Sequence, residues 1–126
     1  MNFTEALRSE LIQIDKLNQK VFPIVAPKEA SSPFLVYKRQ EVEWKKVLSG
    51  RSDKEHAIYQ LILVSSSYAE KEELETLLSG KIQSFLFRNI GDDGPMIRDL
   101  DFKYLNEEYS IETDLFTSTM QIEVDY

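Results

Sequence analysis

Residues 59–86 read YQLILVSSSYAEKEELETLLSGKIQSFL, and this stretch decides the fold because a strand passes there almost directly into a helix. Its first part, Tyr59–Val64, is apolar at nearly every position, which is typical of a strand that is central in a sheet or covered on both faces. Ser67 and Glu70 have the spacing of a capping box and predict that a helix begins there. The predicted buried stripe of this helix consists of Leu74, Leu77, Leu78, Ile82, Phe85 and Leu86. The stretch therefore predicts a domain of mixed α and β structure.

The composition indicates a single globular domain spanning residues 1–126. A chain of 126 residues with 42% hydrophobic and 29% charged residues resembles an ordinary soluble protein and not a disordered one. The absence of cysteine excludes disulfides, thiolate nucleophiles and cysteine metal sites. The N-terminal residues lack the pattern of a signal peptide, and no apolar run approaches the roughly 20 residues that span a bilayer. We therefore expect no membrane association.

The negative charge is concentrated near the C-terminus. The net charge is −7, of which residues 1–91 contribute +1 (13 Lys and Arg against 12 Asp and Glu) and residues 92–126 contribute −8 (2 against 10). Such an acidic surface repels nucleic acid phosphate. Solvated strand faces that aid solubility explain these residues more simply than a functional acidic surface does, although both interpretations remain open.

The N-terminal segment is predicted to form a helix followed by a short edge strand. Asn2 and Glu5 have capping-box spacing, and one apolar stripe follows at Phe3, Leu7, Leu11, Ile14 and Leu17. Val21–Val25 is predicted to be extended. Because Pro23 lacks a backbone donor, this piece suits only a sheet edge or a strand end.

A long β-hairpin is predicted between residues 34 and 65. Its first strand begins at Phe34–Tyr37 and continues through charged residues to Trp44. The turn residues of Leu48–Asp53 predict the tip, and His56–Ser65 returns as the next strand. The charged half extends beyond any core that a domain of this size could supply, so we expect it to project from the body.

The projecting half of the hairpin is locally basic, near +3 once Glu41, Glu43 and Asp53 are subtracted from six Lys and Arg. With an aromatic side chain nearby, a nucleic acid site that combines phosphate contacts with base stacking is conceivable. A protein-docking arm is at least as well supported, because Trp and Arg are favoured interface anchors. The predicted interface residues are Lys38, Arg39, Trp44, Lys45, Lys46, Arg51 and Lys54.

Two further strands are predicted in the C-terminal part, over roughly Ile97–Leu105 and Phe116–Tyr126, with a turn at Asn106–Glu108. Alternation of apolar and polar residues along them indicates one buried and one wet face, as in antiparallel sheets. Their polar faces carry a possible acidic surface made of Asp99, Asp101, Glu123 and Asp125. The predicted fold class is α+β, with an antiparallel sheet of about four to five strands, two helices packed on one face and a projecting β-hairpin.

No catalytic, metal or cofactor site is predicted. His56 is the single histidine and is interpreted as a solvated residue at the start of a strand. The sequence Asp92-Asp93-Gly94 lacks the further ligands of a calcium loop and is interpreted as a turn. The four glycines form no phosphate-binding loop. We therefore expect a protein that is not an enzyme and needs no cofactor.

The order of these segments resembles that of the tail-completion (tail terminator) proteins of long-tailed bacteriophages and prophages. The resemblance covers nearly the whole chain, and the loop Asn106–Asp114 departs from it in being more acidic. The matching marks are the N-terminal helix leading to Val21-Phe22-Pro23, the strand Pro33–Tyr37, the turn Leu48-Ser49-Gly50, the strand Tyr59–Val64, the helix entry at Ser66–Glu70 and the closing Ile122-Glu123-Val124.

The resemblance implies a structural role in a virion. Proteins of this family form a ring, usually hexameric, at the head-proximal end of the tail tube, where they stop tube polymerisation and meet the head connector. The implied partners are thus further copies of the chain, the tail tube protein and a head-connector protein, with DNA passing through the ring without specific binding. The implied location is the virion tail, and the host cytoplasm during assembly.

Two other functions remain open at the level of the sequence. The first is a neck, head-closure or minor tail component, which would differ from a terminator in its partner. The second is a small nucleic-acid-binding module that uses the basic hairpin, which predicts retention on DNA or RNA that weakens steeply as salt rises.

Overall fold

The structure, a computed structural model, describes residues 1–47 and 50–126, and for residues 43–47 and 50–54 it describes only the strand backbone. Residues 48 and 49, which were predicted to belong to the hairpin tip, lie outside the described residues. The predicted α+β class and strand number are confirmed. The elements are α1 (Phe3–Leu11), a 3₁₀ helix (Asp15–Leu17), β1 (Val21–Pro23), β2 (Phe34–Val47), β3 (Gly50–Ser65), α2 (Tyr68–Gln83), β4 (Asp99–Ser110) and β5 (Leu115–Asp125).

The five strands form one sheet in the order β1-β2-β3-β5-β4, with β3 in the middle. The pairs β2–β3, β3–β5 and β4–β5 are antiparallel, as predicted. The expectation of a wholly antiparallel sheet was wrong at one edge, because β1 pairs with β2 in parallel and places Val21 opposite Leu35. The connection of residues 24–33 is long enough to carry the chain back to the end of the sheet where β1 began.

The hydrophobic core lies between one face of the sheet and the two helices. On α1, the Phe3 ring stacks on Tyr126 with ring centroids 4.7 Å apart. On α2, Leu74 and Leu78 are buried in the same cluster. Strands β3 and β5 alternate as expected, and their buried apolar residues are Ala57, Tyr59, Leu61, Leu63, Met120, Ile122 and Val124.

Both helices begin at their predicted caps and end differently from the prediction. The side chains of Asn2 and Ser67 accept hydrogen bonds from the backbone N–H groups of Glu5 and Glu70. Helix α1 ends at Leu11, and the rest of its predicted stripe continues through a turn into the 3₁₀ helix, where Ile14 and Leu17 are still buried. In the α2 region, Leu77 and Leu86 were predicted to be buried, but they are 46% and 38% exposed.

A turn after α2 is fixed to α1 by the buried carboxylate of Glu10. Its oxygens accept hydrogen bonds from Arg88 at 2.8 and 3.2 Å and from the backbone N–H of Gly91 at 2.7 Å, and Lys81 lies 3.2 Å away. Gly91 has a φ of +64°, and a Cβ there would lie 2.9 Å from the Cα of Ala6. Only glycine therefore allows the turn to approach the helix so closely.

Strand β4 is longer than the sequence indicated. Asn106–Glu108 was predicted to turn the chain, whereas the strand continues to Ser110 and passes an irregularity between Tyr104 and Asn106. The chain instead turns between Ser110 and Leu115. As an edge strand, β4 pairs with only one neighbour, β5, and most of its side chains are exposed. Polar residues can therefore occupy it without any burial cost.

Strands β2 and β3 continue past the end of β5 as a two-stranded ribbon, defined here as residues 44–47 and 50–54. The register of β3 with β5 runs as far as the pair of His56 and Asp125, whereas β2 and β3 remain paired to each other as far as Val47 and Gly50. Four residues of strand correspond to roughly 13 Å of length. The backbone thus confirms a hairpin that extends beyond the body of the sheet.

Candidate functional site

The first candidate surface is the basic hairpin. Two of its predicted interface residues have described side chains, and both lie on β2: Lys38 is half-buried and Arg39 is exposed. Arg39 lines an open groove with Glu55 and Tyr126, whose hydroxyl donates a hydrogen bond to Glu55 at 2.8 Å. The side chains of the other predicted residues lie outside the described part: Trp44, Lys45, Lys46, Arg51 and Lys54.

The second candidate surface is the acidic face of the sheet, defined by Asp99, Asp101, Glu123 and Asp125. The strand register brings these four residues together, because Asp99 pairs with Asp125 and Asp101 pairs with Glu123. They lie on the face opposite the helices, since the alternate residues Ile122 and Val124 point into the core. The two residues on β4 are exposed and the two on β5 are half-buried.

His56 lies within the acidic face and was missed as a functional feature. It was interpreted as a solvated strand-end residue, but its side chain is only 26% exposed. Its Nδ1 lies 2.5 Å from a carboxylate oxygen of Asp125, and its Nε2 lies 2.7 Å from one of Glu123. Only the imidazolium can donate from both nitrogens. These hydrogen bonds, that to Asp125 first, raise the pKa of His56, and burial of the ring opposes them.

We expect the free energy of unfolding to fall as the pH rises through the raised pKa of His56. A histidine whose pKa is raised on folding stabilises the folded state fully below its unfolded value, near 6.5, and this contribution is lost as the pH rises through the folded value. The loss should be about 1 kcal/mol, because the ring is partly solvated. Urea unfolding between about pH 6 and 9 measures it, and His56→Gln should flatten the slope.

The single histidine makes the accompanying pKa measurement unambiguous by NMR. The described acidic groups near the ring are Glu123 and Asp125 on β5, and Asp99 on β4 beyond them. Glu43 is the register partner of His56 on β2, but its side chain lies outside the described part. Asp125→Asn should lower the pKa of His56 more than Glu123→Gln does, since Asp125 is the main cause of the shift. A wild-type pKa at or below 6.5 would contradict the proposed charge state.

The third candidate surface is the distal part of β4 with its turn, here called the acidic β4 end and defined as residues 104–114. It carries four carboxylates and no Lys or Arg: Glu107, Glu108, Glu112 and Asp114. It also carries four of the exposed large apolar side chains of the described chain, namely Tyr104, Leu105, Tyr109 and Ile111, which are 46–86% exposed. Apolar residues rimmed by charges on an unpaired strand edge indicate an interaction surface.

A buried lysine on α2 holds this surface in place. The amine of Lys71, whose side chain is 1% exposed, lies 2.5 Å from Glu75 and 2.6 Å from Glu107, and 4.5 Å from the centroid of the Tyr68 ring. Pairing with these carboxylates raises the pKa of Lys71 despite its burial, so the lysine stays charged. Its burial has a signal in the sequence, since Lys71 precedes Leu74 and Leu78 at the spacing of the buried stripe.

The described residues contain no group of three His, Asp or Glu side chains placed to hold a metal ion. Within the same part of the chain, no helix is both long and apolar enough to cross a membrane.

Comparison with known proteins gives a likeness of fold. Neither a protein-family model nor a curated protein matches the chain. Among solved structures, the chain is similar to a chain from the virion of a native gene transfer agent (GTA) particle. The likeness covers 97% of this chain and 89% of that chain, with a TM-score of 0.60 and 11% identity. At this identity, the likeness establishes that the two chains share a fold.

Proposed function

We propose that this chain is a non-enzymatic structural protein of a phage-like virion and acts as a tail terminator. The observation that carries the proposal is the shared fold, over nearly the whole chain, with a component of a gene transfer agent virion. The order of segments in the sequence, which resembles that of tail-completion proteins, supports the same role independently of the shared fold. In the virion, the protein would sit at the head-proximal end of the tail, after assembly in the host cytoplasm.

In this role the chain assembles as a ring, usually hexameric in the family it resembles, on the end of the tail tube and docks to the head connector. Ring assembly requires two different surfaces on each subunit, each complementary to the other. The ribbon and the unpaired edge of β4 offer two such surfaces at different places on the sheet. A ring on the tube end stops further tube subunits from adding and presents a new surface to the head.

The acidic face is proposed to line the opening through which DNA passes. Carboxylates at this position repel phosphate, so a passing duplex would not adhere to the protein. The His56 imidazolium balances part of this charge through its bonds to Asp125 and Glu123. Neutralising the cluster in this way lets four carboxylates share one face without full mutual repulsion.

Electron microscopy of tail tubes tests the proposal. Tail-tube protein of the same virion is polymerised with and without the purified chain. Tubes grown with it are expected to be shorter and to carry a ring-shaped density at one end. An unchanged length distribution together with bare ends would contradict terminator function, whereas binding along the tube wall would favour a minor tail component.

A second arm of the same experiment separates the terminator from a nucleic-acid-binding module. Double-stranded DNA is passed over the immobilised chain at low salt, where phosphate contacts are strongest. We expect no retention, because the net charge of −7 and the acidic face oppose it. Retention that falls steeply as salt rises would instead favour nucleic acid binding by the hairpin.

A further inference from the structure

The acidic β4 end is a rigid surface, which suits it to docking. Glu107 is held by Lys71 at 2.6 Å, so the middle of this surface is tied to helix α2. The Tyr109 hydroxyl donates to Asp114 at 2.6 Å across the turn, and the Tyr109 ring packs on Phe116 with centroids 4.8 Å apart. Little side-chain entropy would then be lost at these residues when a partner binds.

The ribbon has the complementary composition. Its residues 44–47 and 50–54 include four basic residues and one acidic residue, for a balance of +3, whereas residues 104–114 have a balance of −4. The sequence of the ribbon also contains the apolar residues Trp44 and Val47, and the acidic β4 end has exposed apolar side chains. Opposite charge combined with apolar content on both sides is typical of specific protein interfaces.

The same charges disfavour symmetric contacts between two copies. Two acidic β4 ends facing each other would bring eight carboxylates together, with no basic residue from either segment. Two ribbons facing each other would bring together two segments that each have a net charge of +3. Like-charge juxtaposition of this kind disfavours association. A head-to-tail contact is favoured instead, and such heterologous contacts are the ones that close into rings.

We propose that the ribbon of one subunit docks on the acidic β4 end of the next copy of this chain, and that this contact joins neighbouring subunits. The inference deepens the proposed function and rests on its ring. It assigns the two complementary surfaces, the ribbon with Lys45, Lys46 and Lys54 on one side and the β4 end with Glu108 and Glu112 on the other. The proposed contact does not involve the acidic face around His56.

Charge reversal on each side tests the contact. Lys45→Glu with Lys46→Glu reverses the ribbon, and Glu108→Lys with Glu112→Lys reverses the β4 end, while Glu107 is left in place because it pairs with Lys71. Each double variant is expected to weaken self-association at least about tenfold, and the chain that carries all four changes should recover it. Sedimentation velocity at high protein concentration measures the association, and circular dichroism checks that each variant is folded.

Two controls keep the result specific. The double variant Glu29→Lys with Asp92→Lys changes the net charge as much as the β4 variant does at exposed positions elsewhere, and it should associate like wild type. Zero-length carbodiimide cross-linking of wild type should join a ribbon lysine to Glu108 or Glu112 of another copy. Unchanged association of both ribbon and β4 variants, no rescue by the fourfold variant, or a wild type that never self-associates would each overturn the contact.

Failure of this inference is distinguishable from failure of the proposed function. If both charge-reversed variants still cap tail tubes with a ring, subunits meet through other surfaces and the terminator role stands. If the subunits self-associate through the ribbon and the β4 end but leave tube length unchanged, the contact stands and the terminator role fails.

Discussion

Replacing Tyr59 with alanine is expected to lower the free energy of unfolding by about 4 kcal/mol, as truncation of a large buried aromatic residue does. Tyr59 is 1% exposed and lies on β3, the middle strand of the sheet. Its ring lies 5.1 Å from that of Phe3, and its hydroxyl is 2.5 Å from the Thr4 hydroxyl, so it joins helix α1 to the sheet. Urea unfolding followed by circular dichroism measures the loss.

Tyr59→Phe is the matched control, because it keeps the ring and removes only the hydroxyl. It should cost about 1 kcal/mol, the usual net value of one hydrogen bond. If the alanine variant lost no more than the phenylalanine variant, the ring packing between α1 and β3 would contribute little, and the role assigned to Tyr59 in joining helix to sheet would be wrong.

Replacing Glu10 with alanine is expected to lower the free energy of unfolding by about 3 kcal/mol, because it removes a buried carboxylate that accepts several hydrogen bonds. The carboxylate is 6% exposed and receives two hydrogen bonds from Arg88 and one from the N–H of Gly91. The side chains of Arg88 and Lys81 are partly exposed, so they can form hydrogen bonds with water when the carboxylate is removed. The N–H of Gly91 depends on the carboxylate as its acceptor. Glu10→Gln retains an acceptor oxygen and should lose less than the alanine variant.

The Glu10 cluster also predicts acid sensitivity. The hydrogen bond from Arg88 is the main reason that the pKa of Glu10 is lowered from 4.5 to about 2. A carboxylate with a lowered pKa stabilises the folded state fully above its unfolded value, and this contribution is lost as the pH falls through the folded value. The window therefore runs from about pH 4.5 down to 2, and Glu10→Gln should show a shallower loss of stability there. Equal acid sensitivity of the two proteins would contradict this assignment.

The central part of the fold could be predicted because its signals are local. Tyr59–Val64 has the continuous apolar pattern of a central strand, and Ser67 supplies the cap that begins α2. The alternation along β5 likewise identified its buried face. In each case the spacing of the apolar side chains along the sequence shows which of them must be buried. Few local structures can bury all of them together.

The edge position of β1 was predicted, but the length of β4 and the pairing direction of β1 could not be, because local sequence signals do not determine them. Strand β4 has little buried surface beyond Phe102, so the polar residues Asn106–Glu108 gave the pattern of a turn although they lie in the strand. The parallel pairing of β1 depends on the path of the preceding and following loops, which three residues of strand do not encode.

The burial of the two charged residues Glu10 and Lys71 has a signal in the sequence. Glu10 falls between Leu7 and Leu11 on the buried side of α1, and Lys71 occupies the corresponding place on α2. A charged residue at an apolar position of a helical stripe predicts a buried counter-ion, but only the folded chain identifies it. His56 could not be linked to Glu123 and Asp125 from sequence, since nearly 70 residues separate them.

The continuity of β3 from the ribbon into the core has a mechanical consequence. Strand β3 is paired with β5 from His56 to Ser65, and these pairs follow one another along the direction in which the ribbon extends. A pull on the ribbon along its axis would shear these pairs together instead of unzipping them one at a time. A force applied to the hairpin is thereby distributed over the paired strands at the centre of the subunit. A neighbouring subunit bound to the hairpin would therefore be connected firmly to the core.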